Sequence, residues 1–256
     1  MTLDFAIMLT TTGLFYFIVL SLLEIVLGID NIIFISIITE PLEATERRKA
    51  RNIGLSLALV IRLILLTIVG WIMRLTEPFT TIFGWEMTGQ KLVLLIGGLF
   101  LIYKSTMEMH DSMTHKHADP DASKKKKSLK AIIVQILLVD IVFSFDSIIT
   151  AIGMTNGMAK ETHHSPMIII YLAVIVSMIV MMIFAKPISE FIINRPTVKM
   201  IALAFLVTIG VVLVAEAFDQ HVPKGYIYFA MVYSLTVEMI NLRMNKNKEK
   251  NIDFNE

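Results

Sequence analysis

Seven apolar runs, each close to the length that crosses a bilayer, dominate the chain and limit what it can fold into. A hydrocarbon core about 30 Å thick requires about 20 mainly apolar residues per helix. The runs extend roughly from Gly13 to Ile38, Ile53 to Met73, Leu92 to Met107, Ala131 to Gly153, Met167 to Phe191, Met200 to Ala217 and Gly225 to Leu242. With 55% hydrophobic residues and a mean hydropathy of +0.71, the 256-residue chain is too apolar for the surface of a soluble globule. The expected fold is an all-α polytopic membrane protein with seven transmembrane helices. The N-terminal MTLDFAIML has no Lys or Arg ahead of its apolar run, and the run exceeds a signal-peptide core, so the first span is expected to stay in the membrane.

Lys and Arg resist translocation and mark the cytoplasmic side. They cluster after span 1 (Arg47, Arg48, Lys49, Arg51), after span 3 (Lys116, Lys124 to Lys127) and after span 7 (Arg243, Lys246, Lys248, Lys250). The alternate connections are poor in positive charge, holding Lys91, Lys160 and Lys224. The N-terminus is therefore expected outside and the C-terminus inside.

Span 1 contains LEIVLGIDNII from Leu23, and span 4 contains VDIVFSFDSII from Val139. At a constant offset of 116, Glu24 meets Asp140, Asp30 meets Asp146 and Asn31 meets Ser147. Spans 3 and 6 match less strongly at an offset of 108, which pairs Lys91 with Lys199, Glu108 with Glu216 and Asp111 with Asp219. Three spans per unit is an odd number, so the second unit enters the membrane from the opposite side. That is an inverted repeat, the arrangement in which transporters hold substrate near the midplane. The resulting boundaries are 1–109 for the first unit, 110–130 for a cytoplasmic His/Lys-rich loop, 131–222 for the second unit, and 223–256 for span 7 with a cytoplasmic tail.

Ionised carboxylates inside a bilayer are costly and by default functional. On a regular helix Glu24, Gly28 and Asn31 form one stripe, as do Asp140, Ser144 and Ser147. Asp30 and Asp146 lie about 120° away from the first acids. Each helix thus either shows its acids to two neighbours or unwinds near Gly28 or Ser144. Laid antiparallel, Glu24 is level with Asp146 and Asp30 with Asp140, in two layers about 9 Å apart. Arg62, in span 2, is an ion-pair candidate with no sequence counterpart in the second unit; it reads as a counter-charge holding the site, or as a gate. Carboxylate, amide and hydroxyl oxygens form a hard ligand set suited to Mg, Ca or Mn. Protonation of crowded carboxylates can substitute for the metal, which makes proton antiport a natural coupling.

Glu108 and Glu216 end their spans three residues before an aspartate, as vestibule ligands or as solvated helix ends. Glu238 and Asn241 read as structural. The loop His110 to Lys127 holds three histidines and three aspartates in no defined metal spacing and reads as a linker whose lysines contact anionic lipid. His163, His164 and His221 are equally weak signals. No cysteine is present, which excludes disulfides and thiolate metal sites, and a net charge of +1 argues against a nucleic-acid partner. The seventeen methionines form no paired copper motif.

LEIVLGIDNIIFI, the ERRKARNIG loop, Arg62 in VIRLILL and VDIVFSFDSIITA together resemble the TerC family of integral membrane proteins. The resemblance spans helices 1 to 7 and is similar to the wider LysE-type transporter group. It implies export of manganese as substrate, no prosthetic group, and a cell-membrane location. On this resemblance Glu24, Asp30, Asn31, Asp140, Asp146 and Ser147 carry the ion, with Glu216 accessory. The expected partners are a divalent cation and the lipid bilayer. No enzymatic activity is expected. The alternatives are an intramembrane aspartyl protease built on two facing aspartates, disfavoured because GID and SFD lack a glycine-flanked aspartate, and a non-transporting scaffold or metal sensor beside the secretion machinery or in tellurite resistance.

Overall fold

Thr10 starts the first helix. Its backbone is extended, and its hydroxyl accepts from Gly13 N at 3.0 Å while donating to Ile7 O at 2.7 Å, which satisfies one of the amides a helix start leaves open. The computed structural model describes residues 7–8, 10–68, 78–82, 85–114, 128–162 and 166–253. Its helices are α1 (Thr11–Thr39), α2 (Ala44–Thr67), α3 (Gly89–Thr114), α4 (Leu129–Thr162), α5 (Met167–Ile193), α6 (Pro196–Ala217) and α7 (Lys224–Asp253). Six of them, α1 to α6, are long and apolar enough to cross a membrane among the described residues. The seventh run is also helical, but it continues into the charged tail and does not belong to that set.

The basic segment Arg47 to Arg51, expected as a connection, forms the first two turns of α2, because Glu, Arg, Lys and Ala are all strong helix formers. Arg47 turns back to donate to Glu40 O at 2.7 Å and Leu42 O at 3.1 Å, sealing the link from α1. The helical fold carries one small addition. Pro78–Ile82 (β1) and Trp85–Thr88 (β2) form an antiparallel hairpin rich in β-branched and aromatic residues. The Thr88 hydroxyl accepts from Lys91 N at 3.1 Å and starts α3. Residues 69–77, where the second run was expected to end, and residues 115–127 of the His/Lys loop lie outside the described residues, as do His163 and His164.

α1 packs along α5 and α2 along α4; α1 also crosses α4, α2 crosses α5, and α3 lies against α6. At the α3/α6 crossing the backbones touch. A Cβ on Gly98 would sit 2.7 Å from Gly210 O, and one on Gly210 would sit 2.8 Å from Gly98 O. Small residues permit this approach in lipid, where packing replaces the hydrophobic effect as the force between helices. α7 rests chiefly on α6 and turns Tyr226, Phe229 and Tyr233 outward.

The burial patterns of α2 and α5 share a register. At a constant offset of 119, every buried position of α2 falls on a buried position of α5. Arg62 lands on Met181. The contacts agree: Arg62 meets Ser144 on α4, and Met181 packs so closely on Gly28 of α1 that a Cβ there would lie 2.1 Å from its sulfur. Arg62 therefore does have a positional counterpart; sequence comparison misses it because the side chains have nothing in common.

Candidate functional site

α1 is unbroken from Thr11 to Thr39, and α4 runs unbroken through Ser144. Neither helix unwinds at the acidic motif, so its carboxylates point to two different neighbours. Between the two helices, Asn31 Nδ2 donates to Asp140 Oδ1 at 3.3 Å.

On the α2 side, Arg62 Nη1 donates to Glu24 Oε2 at 2.8 Å and Nη2 to Asp140 Oδ1 at 3.4 Å. Its Nε donates to Ser144 Oγ at 3.0 Å, and that hydroxyl donates to Asp140 Oδ2 at 3.3 Å. All four side chains are buried, with Arg62 and Glu24 each 2% exposed. A guanidinium fork facing two carboxylates in low dielectric has its directed donors matched by acceptors. Such a cluster stays where it is, because removing Arg62 strands two buried carboxylates.

On the α6/α7 side the remaining acids, Asp30 and Asp146, line one small cavity of about 30 Å³ together with Ser147, Lys224 and Tyr228. That is room for about one water-sized occupant. Asp30 is only 4% exposed; Tyr228 Oη donates to its Oδ2 at 3.4 Å, and its Oδ1 has no hydrogen-bond partner among the described residues. The Asn31 Oδ1 is likewise buried without a partner. Lys224 forms an ion pair with Asp146 and lies 3.8 Å from Glu216 Oε1. A larger cavity of about 830 Å³ shares Asp146, Lys224 and Tyr228 with the small one and reaches the exposed Asp219 and His221.

The six residues expected to carry an ion are thus sorted by face. Glu24 and Asp140 go to Arg62, Asp30 and Asp146 go to the cavity, and Asn31 and Ser147 stand between the two sets. Glu216 joins the cavity side. Glu108 does not: it pairs with Lys104 at 2.9 Å on its own helix. Asp219, at φ 61°, pairs with Lys91 at 2.7 Å and ties the end of α6 to the start of α3. Glu238 accepts from Thr197 and joins α7 to α6, as a structural residue would.

Lys224 and Tyr228 were missed in the sequence. Lys224 was only a stray charge in a basic-poor connection, and Tyr228 one of six tyrosines. The usable signal was their i, i+4 spacing at the start of a helix, which places both on one face.

The model of the integral membrane protein TerC family matches residues 9–252. A UPF0053 protein of Haemophilus influenzae is 49% identical over 227 residues, covering 89% of this chain and 92% of the relative. The UPF0053 inner membrane protein YgdQ of Escherichia coli K12 is 46% identical, covering 89% and 91%. YoaE of the same strain is 41% identical over 89% of this chain, but that match spans only 42% of YoaE. No solved structure matches.

Proposed function

Because the chain belongs to the TerC family of integral membrane proteins, with six helices able to span a bilayer, we propose that it is a multi-pass cell-membrane transporter for a divalent metal cation, and that manganese is its substrate. The UPF0053 inner membrane protein name of a near relative supports the location.

One observation carries the reading. Asp30 and Asp146, which occupy equivalent places in the two motifs, border the small cavity, Asp146 and Glu216 border the larger one, and the three carboxylates are opposed by one ammonium, Lys224, which lines both spaces. When all are ionised, the excess equals the charge of one divalent cation. The ligands on offer, carboxylates beside the hydroxyl of Ser147, are the hard oxygen donors that Mn²⁺ accepts. Export coupled to proton uptake by the same carboxylates completes the cycle.

The helix pairings support an inverted repeat. Exchanging α1, α2 and α3 for α4, α5 and α6 turns α1·α5 into α2·α4 and leaves α1·α4, α2·α5 and α3·α6 in place. The shared burial register of α2 and α5 follows the same exchange. With the N-terminus outside, the larger cavity opens outward beside His221. An aspartyl protease needs two carboxylates that share a proton; here Asp140 is paired with Arg62 and Asp146 with Lys224, which favours ion binding over proteolysis.

The test is efflux of radioactive manganese from loaded cells, with the parent compared to Asp30→Asn and Asp146→Asn. Loss of at least tenfold in both variants supports the site; parent-level efflux in both removes it. Efflux indifferent to the protein's presence removes the transporter reading altogether.

A further inference from the structure

We infer that Lys224 is a tethered substitute cation, whose ammonium occupies the Asp146–Glu216 end of the cavity until a divalent ion displaces it, so that it sets the valence selectivity of the site. The inference rests on the cation-site reading above and names the residue that decides which ions enter.

Lys224 belongs to the first turn of α7, outside both three-helix units, yet its amine reaches Asp146 on α4 and Glu216 on α6. One turn on, Tyr228 caps Asp30. A single helix face therefore covers both carboxylates that the paired motifs bring to this side. The cover is incomplete: Asp30, which borders the small cavity, has a buried Oδ1 without a partner among the described residues. A closed structural ion pair leaves no such oxygen, whereas an acceptor in a water-sized space is what an incoming ion requires. The cover is also lightly held, because α7 rests chiefly on α6 and its opposite face is exposed.

Displacement favours double charge. A monovalent ion brings the same charge as the ammonium it must evict, and the ammonium has the advantage of its tether, which keeps its local concentration high. A divalent ion brings twice that charge to the same carboxylates and can draw in Asp30 as well. Once released, Lys224 has the larger cavity to swing into, since it lines both spaces.

The experiment is equilibrium Mn²⁺ binding to the purified full-length protein in lipid nanodiscs, with and without excess Na⁺. In the parent and in Lys224→Arg, Na⁺ is expected to leave Mn²⁺ affinity unchanged. In Lys224→Gln, Mn²⁺ is expected to bind about tenfold tighter without Na⁺ and to lose that gain as Na⁺ competes. A Lys224→Gln affinity equal to or weaker than the parent's, with Asp146→Asn abolishing binding, overturns the inference and leaves the cation site standing. If Asp30→Asn and Asp146→Asn both bind Mn²⁺ as the parent does, the site itself is wrong. Should Lys224→Gln fail to fold, the parent decides through acylation of Lys224 by an amine-reactive probe, read by mass spectrometry. Labelling that rises severalfold at saturating Mn²⁺ supports displacement; unchanged or reduced labelling refutes it.

Discussion

The two sides of the α1/α4 crossing receive the same repeated pair of acids and treat them in opposite ways. Toward α2, Glu24 and Asp140 are locked to Arg62 and Ser144 in a cluster that lines neither of the two cavities described above. Toward α6 and α7, Asp30 and Asp146 border space, and their partners come from the start of a lightly held helix. Both sides are charged and both lie within the spans, so an intramembrane acid alone does not mark a transport site. A site must exchange its counter-charge, and that takes access and a partner able to leave.

The comparison breaks most visibly at Arg62. Arg62→Met strands Glu24 and Asp140, and removing one partner of a buried ion cluster typically costs about 3–5 kcal/mol. Thermal unfolding in detergent should show a large loss of stability or a failure to fold. Adding Glu24→Gln and Asp140→Asn to the same chain should recover most of it, because neutral residues need no counter-charge. A parent-like melting temperature for the single variant would show that the cluster is not architectural. Ser144→Ala is the milder probe of the same side. It removes an acceptor for Arg62 Nε and a donor to Asp140, a loss of about 1.5–3 kcal/mol for hydrogen bonds to charged groups. Manganese efflux per folded molecule is expected to stay unchanged.

The cavity side predicts the reverse profile. Asp30→Asn replaces a buried carboxylate, held by one long hydrogen bond, with a neutral group of equal size, so stability should hold or rise. Efflux should fall at least tenfold, the equivalent of about 1.4 kcal/mol or more in the limiting step. An Asp30→Asn protein that unfolds as Arg62→Met does would erase the difference between the two sides.

The sequence made half of this contrast legible. Apolar run length, from which seven spans were expected, located the six helices able to cross a membrane, and the repeated acids picked out the α1/α4 crossing, because both signals are local and periodic. Which carboxylate faces which neighbour did not follow, since a 120° separation fits either a continuous or an unwound helix, and only packing decides. Arg62 was visible as a charge in an oily run, but its positional counterpart, Met181, was hidden by unlike side-chain chemistry. Lys224 and Tyr228 were hidden for a third reason: they lie outside the paired sequence motifs, so no internal comparison points to them. The hairpin Pro78–Ile82 with Trp85–Thr88 is too short to register beside 20-residue apolar runs.

Tyr228→Phe is expected to have the smallest effect, and its sign carries the information. The phenol donates to Asp30 Oδ2 at 3.4 Å, beyond the usual range for an O–H donor, so the bond contributes at most about 0.5–1.5 kcal/mol. The substitution keeps the ring and the wall of the cavity, and removes only the hydroxyl. If that hydroxyl belongs to the closed, ion-free state, as Lys224 does, its loss frees an Asp30 oxygen. Mn²⁺ should then bind about two- to tenfold more tightly in equilibrium titration. If the hydroxyl instead contacts the ion, binding weakens by a similar factor, and the first turns of α7 form part of the bound site as well as its cover. Ser144→Ala, a hydroxyl loss on the sealed side, should move stability and leave Mn²⁺ affinity alone. Opposite readouts from two single-hydroxyl deletions would separate the architectural side of the crossing from the working side at the scale of one atom.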